Sequence, residues 1–506
     1  MVEVIAVSTH AIPDPVDFVG EWFLPDRENS PLISGTLSWA SQRASLKLND
    51  SFTPLAGAIY GDEEHSYAAV HGTSTSSQCV TLLNAARAGS GFNFGAAGMR
   101  QSERLISSLV VVGDHVSPKT LYSEIRVRVP GLQIWIGRSG VRQTIIPKTD
   151  DSALTVIYSI ESLPEEVTAI SSVSATLGWG LGWTRSGELV SEIFVKTSAY
   201  LSVRTDHPQE LDWYFKQLGK VKTLLSFLAG SSMSPDHITA KVVGSAVDVE
   251  ILIALREASY CAHKSANDFY MLRNDMGADL GTVFSKWFEL YDSIAMPSQL
   301  ALSVFSSEKL WLHVEFLSLM QALEGFHRAT MPGSYTSVEE YESIRSSLNN
   351  AIPQTVQSAH KEALKSRIKY GNEVSLRKRL DALVARIPLA IREQILGGDG
   401  SVPRSWVVTR NYYTHWDEAS RDSILDGVEM HRAGVRMKHL LRVLYLDLVG
   451  IPFAAIAKAL RNTCNESQYL VQLNNSAHRK DNPGDASGAI MHISVKDAES
   501  PDASIS

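Results

Sequence analysis

The residues in this chain best suited to chemistry are Arg410-Asn411-Tyr412-Tyr413-Thr414-His415, which put a fixed cation, an amide and a titratable base into one short stretch. Arginine is a permanent forked donor that matches phosphate oxygens. Histidine, with an ordinary pKa of about 6.5, gives and takes protons near neutrality. In a helix that turns about 100° per residue, Asn411 and His415 share one face a turn apart, where the amide can orient the imidazole. Together these side chains are equipped to cut a phosphodiester.

Spacing alone does not single the stretch out. Arg256 with His263 and Arg432 with His439 follow the same rule, but Glu257 and Ala433 stand where Asn411 follows Arg410. The opposing reading of the motif pairs Arg410 with Asp417 or Glu418 and makes His415 an ordinary core or surface histidine. What favours chemistry is the polar residue after the arginine, the aromatic filling and the helical surroundings.

Those surroundings are read from the whole chain. At 506 residues, with 44% hydrophobic and 20% charged, the sequence suits an ordinary globular protein of two or three domains and shows no repeat period. No apolar run reaches the roughly 20 residues of a membrane span, and no signal peptide opens the chain, which points to a cytoplasmic protein with no membrane partner. Three scattered cysteines, Cys79, Cys261 and Cys464, make neither a disulfide framework nor a metal knuckle, so no metal and no cofactor are expected.

The net charge of -8 rules out a uniformly basic nucleic-acid coat and leaves RNA contact to a local patch. Residues 361–392 carry one, with Lys365, Arg367, Lys369, Arg377, Lys378 and Arg379 as candidate RNA-binding side chains, although most such runs are simply solvated helix faces.

The period of the apolar residues divides the chain. Residues 1–17 read as a tail. From residue 18 to about 205, short segments of period two, such as Ile125-Arg126-Val127-Arg128-Val129, predict antiparallel strands in a sandwich or strongly twisted sheet, with loops at 57–64 and 88–98. The second loop has glycines but neither phosphate-cradle spacing. Gly178-Trp179-Gly180-Leu181-Gly182-Trp183 predicts a hairpin whose tryptophans fill the sheet core. A helix capped by Asp206 runs to about 230, and a strand pair at 238–243 and 247–254 folds back around it.

From 280 on nearly everything reads helical: 280–294, broken at Pro297, then 310–328, 338–351, 356–369, 373–387, 388–396, the Arg410 helix behind the break Gly397-Gly398-Asp399-Gly400, 434–449 and 452–460. The expected architecture is α+β and multidomain, with a β-rich domain over 18–295, an all-α bundle over 296–465 and a disordered tail over 466–506.

The second half resembles HEPN domains, helical bundles of RNA-cleaving toxins and defence proteins whose mark is arginine, a polar residue, a few more positions and histidine. Gln321-Ala322-Leu323-Glu324-Gly325-Phe326-His327-Arg328, followed by Thr409 to Asp417, is similar to the HEPN domain of the ApeA anti-phage defence family. Gly20-Glu21-Trp22-Phe23-Leu24-Pro25, Ser34-Gly35-Thr36-Leu37 and Cys79-Val80-Thr81-Leu82 are similar to the N-terminal domain that accompanies it.

The resemblance implies a ribonuclease toxic to the infected host cell, in which Arg410, Asn411 and His415 are catalytic and a homodimer or larger homo-oligomer joins two motifs in one cleft. It makes RNA, tRNA included, the substrate and the N-terminal domain the receiver of a phage-derived trigger. The competing expectation is a non-catalytic RNA- or protein-sensing module that dimerises through the bundle. Glu324, near its helix end, reads as an ion partner within or between helices.

Overall fold

The computed structural model describes residues 15–481 except 29, 41–42, 53–65, 96–97, 149–153, 189–191, 255–264, 308 and 417. The loop expected at 57–64 lies outside the described residues, as do Arg256, Cys261 and His263. Period-two sequence gives β1 (Val16–Phe23), β2 (Ile33–Ala40), β3 (Arg43–Leu48), β4 (Ser66–Ser74), β5 (Cys79–Gly95) and β6 (Gly98–Ser107). Antiparallel pairing runs β1, β2, β3, β6, β5, β4 and back to β1, which closes a barrel.

Closure removes exposed edges and turns one face of every strand into a shared core. Trp22, Leu37, Leu46, Val70, Leu82 and Leu105 are fully buried there. Gly72 leaves the space for Trp22, since a Cβ on it would lie 2.3 Å from the indole. The buried Glu103 accepts from Ser51 Oγ at 2.9 Å, Phe52 N at 3.0 Å and the Tyr67 hydroxyl at 3.2 Å, and it pairs with Arg87 at 3.3 Å. A carboxylate so surrounded is compensated for its loss of water.

Of the two expected forms, a sandwich or a strongly twisted sheet, the structure has a twisted sheet closed into a barrel, and closure depends on pairings such as β3 with β6, between segments far apart in sequence, which periodicity does not encode. The loop expected at 88–98 is mostly strand: β5 and β6 form a hairpin through Gly95 and Gly98, with a register shift between Arg87 and Gly89.

The sheet continues past β5 through β7 (Leu109–Val112), β15 (Asp248–Ile253), β14 (His237–Val242), β8 (Tyr122–Arg128), β13 (Glu192–Gln209), β12 (Ala175–Glu188) and β11 (Glu166–Ile170). Alternation on β7 sends Val110 and Val112 to the barrel core and Val111 to the other core. A short helix α1 (Leu132–Ile136) and a separate exposed hairpin, β9 (Val141–Ile146) with β10 (Thr155–Ile160), complete this half. Of the paired tryptophans, Trp179 is buried and Trp183 is 40% exposed, so only one fills the core. Strand β13 runs to Gln209, and α2 (Leu211–Ala229) starts behind Glu210, so Asp206 is not its cap.

The expected break at Pro297 is absent. Helix α3 (Leu280–Phe305) passes straight through it. Proline in a helix interior costs about 3 kcal/mol. Burial of Ile294, Ala301, Leu302 and Val304 on both sides outweighs that, at roughly 1.5–3 kcal/mol for each large side chain. The boundary expected at 295/296 therefore falls mid-helix, and one continuous core joins the second sheet, α2, α3 and the bundle. Phe227 stacks on Tyr445 at 4.4 Å across that junction.

The remaining helices are α4 (Leu312–Thr330), α5 (Val338–Asn350), α6 (Ser358–Lys369), α7 (Leu376–Ala385), α8 (Leu389–Leu396), α9 (Arg404–His415), α10 (Gly427–Leu448), α11 (Phe453–Ala459) and α12 (Asn465–Asp481). Of the tail expected over 466–506, residues up to Asp481 are helix α12, and 482–506 lie outside the described residues. The polar composition of α12 hides a few fixed points: Ser467 and Leu470 are buried, Glu466 pairs with Arg442, and Asn474 donates to the Gln394 carbonyl. Among the described residues no helix is long and apolar enough to cross a membrane.

Candidate active site

Three glycines with positive φ, Gly397, Gly398 and Gly400, turn the chain ahead of α9, and Pro403 precedes its first residue. Trp406 and Thr409, one turn apart, are its buried anchors, and Thr409 Oγ1 accepts from the Leu425 amide at 2.9 Å. This fixes the rotation of the helix. Arg410 is left half-buried, while Asn411, Thr414 and His415 face out. Trp416, left-handed at φ 52°, ends the helix by donating its N–H to the Tyr412 carbonyl at 2.7 Å.

Arg410 Nη1 donates to Asn411 Oδ1 at 3.2 Å and Nη2 to Glu324 Oε2 at 3.4 Å. Glu324 comes from α4, where its other oxygen accepts from Arg328 at 3.2 and 3.1 Å. It is thus an ion partner both within its helix and between helices, as its position predicted. Arg410 does not pair with Glu418, which engages Arg421, and Asp417 lies outside the described residues.

The expected Asn411 to His415 hydrogen bond is absent, and the Asn411 amide oxygen accepts from Arg410 instead. Among the described residues no hydrogen bond or ion pair fixes the His415 imidazole. Solvent-exposed at the helix end, it is open to a substrate. Aromatic side chains of the same helix make contacts of their own. Tyr413 stacks on His313 at 5.9 Å, Tyr412 lies 6.2 Å from Trp416, and Trp416 and Trp311 are 70% and 78% exposed.

The basic candidates separate by helix. Arg379 is corrected: its side chain is 2% exposed, donating to the Val374 carbonyl at 3.1 Å, the Gly333 carbonyl at 3.4 Å and His327 Nδ1 at 3.1 Å, and pairing with Glu373 at 3.3 Å. It ties α7 to α4 and is unavailable to RNA. Burial, reinforced by the Arg379 and Arg328 charges, holds the His327 imidazole below its ordinary pKa. Its Nδ1 must then carry a lone pair, since arginine only donates.

Arg377 also serves the architecture, donating to the Val402 carbonyl at 2.8 Å and pairing with Asp381. Lys378 lies over the Tyr335 ring at 4.5 Å, and Lys365 pairs with Glu362. Arg367 and Lys369 are exposed on α6, Lys369 over Tyr370 at 5.7 Å. The other motif-like pair fails on burial: His439 is buried, with Nε2 donating to the Glu466 carbonyl at 3.2 Å. Periodicity and spacing gave no signal pairing Glu324 with Arg410, because the contact joins positions 86 residues apart. Only the four-residue spacing of Glu324 and Arg328 was visible. Among the described residues no group of three or more His, Cys, Asp or Glu side chains is placed to hold a metal.

A β-rich domain followed by a helical bundle, with arginine, a polar residue and histidine along one exposed helix, defines a HEPN-type protein. The chain belongs to the ApeA family: residues 17–287 match the model of ApeA N-terminal domain 1 and residues 317–453 that of the Apea-like HEPN domain. No curated protein and no solved structure matches it. The ApeA-type HEPN domain places the protein among anti-phage defence HEPN proteins, a class generally associated with ribonucleases.

Proposed function

We propose that the protein is a metal-independent endoribonuclease that destroys host RNA, tRNA among it, when a phage infects, and so ends infection together with the cell. The observation that carries this reading is the exposed, unrestrained His415 ring five residues after a tethered Arg410 on the same helix. The ribose 2′-oxygen attacks phosphorus, its proton passes to an imidazole, the bond from phosphorus to the 5′-oxygen breaks, and that oxygen takes a proton. Histidine is worth about 10²- to 10⁴-fold as general acid or base. Arg410 balances the charge that builds on the phosphorane. A dimer sharing one cleft supplies two His415 rings, one for each proton transfer. Exposed Arg367 and Lys369 on α6 guide the RNA backbone. The β-rich domain receives the trigger, and no cofactor is used.

One observation favours the non-catalytic reading: Arg410 already has a carboxylate partner in Glu324. The two readings part on whether RNA is cut, and the mechanism on the ends that cutting leaves. Purified protein incubated with RNA is expected to leave 2′,3′-cyclic phosphate and 5′-hydroxyl ends and to spare DNA of the same sequence. Products with 5′-phosphate ends, or equal cutting of DNA, would refute this mechanism.

A further inference from the structure

The charged side chains around the motif form an unbroken relay. It runs from Arg410 to Glu324 at 3.4 Å, from Glu324 to Arg328 at 3.1 Å, from Arg328 to Glu373 at 2.8 Å and from Glu373 to Arg379 at 3.3 Å. Arg379 is buried and fixed, whereas Glu373 stands at the root of a helical hairpin made by α5 and α6. A bridge between Ser334 and Glu373 closes that root, with Tyr335 N to the Asn372 carbonyl at 2.9 Å and Val374 N to the Gly333 carbonyl at 3.0 Å. Beyond it, neither helix contains a buried residue, and the Tyr341 hydroxyl donates to the Ile368 carbonyl across the pair. Tyr335, Val338, Ile344, Leu348 and Tyr370 are all exposed. An arm that buries so little can shift at low cost, and its root is where such a shift meets the relay.

We infer that residues 334–373 are a regulatory arm whose position sets how firmly Glu324 holds Arg410, and hence whether that guanidinium is open to a phosphate; this rests on the ribonuclease reading of the site. Glu324 is shared, giving one oxygen to Arg328 and the other to Arg410. Arg328 is shared in turn between Glu324 and Glu373. Because the charges alternate, a perturbation changes sign at each step. Moving Glu373 away returns the whole Arg328 charge to Glu324, which loosens Arg410. Removing Arg328 leaves Glu324 to Arg410 alone, which tightens the hold. Glu324 is therefore a positioning residue, and it also keeps an anion out while it holds the arginine.

The test has two readouts. In urea unfolding, Glu373→Gln and Arg410→Gln are measured singly and together, in the native and the Arg328→Met backgrounds. Though the two side chains do not touch, the relay predicts coupling of about threefold in the unfolding constant, lost in Arg328→Met. Strict additivity in the native background would overturn the inference, whatever the protein does to RNA. The second readout is affinity for a single-stranded 2′-O-methyl RNA, which cannot be cut. Glu373→Gln should bind several-fold tighter than the native chain and Arg328→Met several-fold weaker. RNA binding that is indifferent to Glu373 overturns the inference and leaves the ribonuclease reading intact. Coupling that persists in a chain that neither binds nor cuts RNA supports the relay and sinks the ribonuclease reading.

Discussion

Replacing Glu466 by glutamine should damage the fold more than replacing its partner Arg442 by methionine, although each change breaks the same ion pair. Arg442 on α10 is fully buried: it donates to Glu466 on α12 and to the Gly230 carbonyl at 3.4 Å, and its guanidinium lies 4.5 Å from the Tyr270 ring and 5.0 Å from Phe305. The Glu466 side chain is 38% exposed. Breaking a buried pair costs about 3–5 kcal/mol, chiefly because one charge is left desolvated and uncompensated. In Glu466→Gln that stranded charge is a guanidinium without access to water, so the upper part of the range applies, about 4 kcal/mol. In Arg442→Met the carboxylate, desolvated beside Arg442 in the native protein, belongs to a partly exposed side chain that water can reach, and methionine fills the space, so the loss falls to about 2 kcal/mol. The double variant should cost less than the sum of the two. Urea unfolding followed by circular dichroism compares all three with the native chain. Equal losses for the two single variants, or a greater loss for Arg442→Met, would refute the reasoning.

Two further outcomes follow from burial. Arg379→Met should destabilise by about 3 kcal/mol, since four partners lose a charged donor, whereas Arg367→Ala and Lys369→Ala on the exposed α6 should stay within about 0.5 kcal/mol and weaken RNA binding instead. Thermal unfolding and filter binding of the same variants separate the two roles. Burial, with Arg442 beside it, holds the His439 imidazole down to about 4 from 6.5. The folded value lies below the unfolded one, so this stability is fully present above pH 6.5 and is lost as pH falls through 4. It amounts to about 3 kcal/mol at most. His439→Gln should flatten the slope of stability against pH in that window, and an unchanged slope would contradict the assignment.

Much of the fold was legible because it is local. Period-two segments gave β8 and β14, and the apolar stripes gave α2, α4 and α10, since a single face meeting a core is written into consecutive residues. What failed depended on partners distant in sequence. Barrel closure through β3 and β6, the continuity of α3 through Pro297 and the docking of α12 by Arg442 all rest on tertiary contacts that override local propensity. The site divides in the same way. Arg410 and His415 were visible as residue types within one helical stretch, whereas the pairing of Glu324 with Arg410 came only through packing of α4 against α9. Charge was the least legible feature. Arg379 reads like its neighbours Arg377 and Lys378 in sequence, and only the rotation of α7 shows that it points inward.

The central claim is that the arginine and histidine of α9 cut RNA during infection. Its most direct test is total RNA from bacteria expressing the native chain, His415→Ala or Arg410→Ala, with and without phage. The account predicts cleaved RNA and protection from phage for the native chain under infection, with intact RNA and no protection for either variant at equal soluble expression. Equal RNA integrity and equal protection for all three would contradict it.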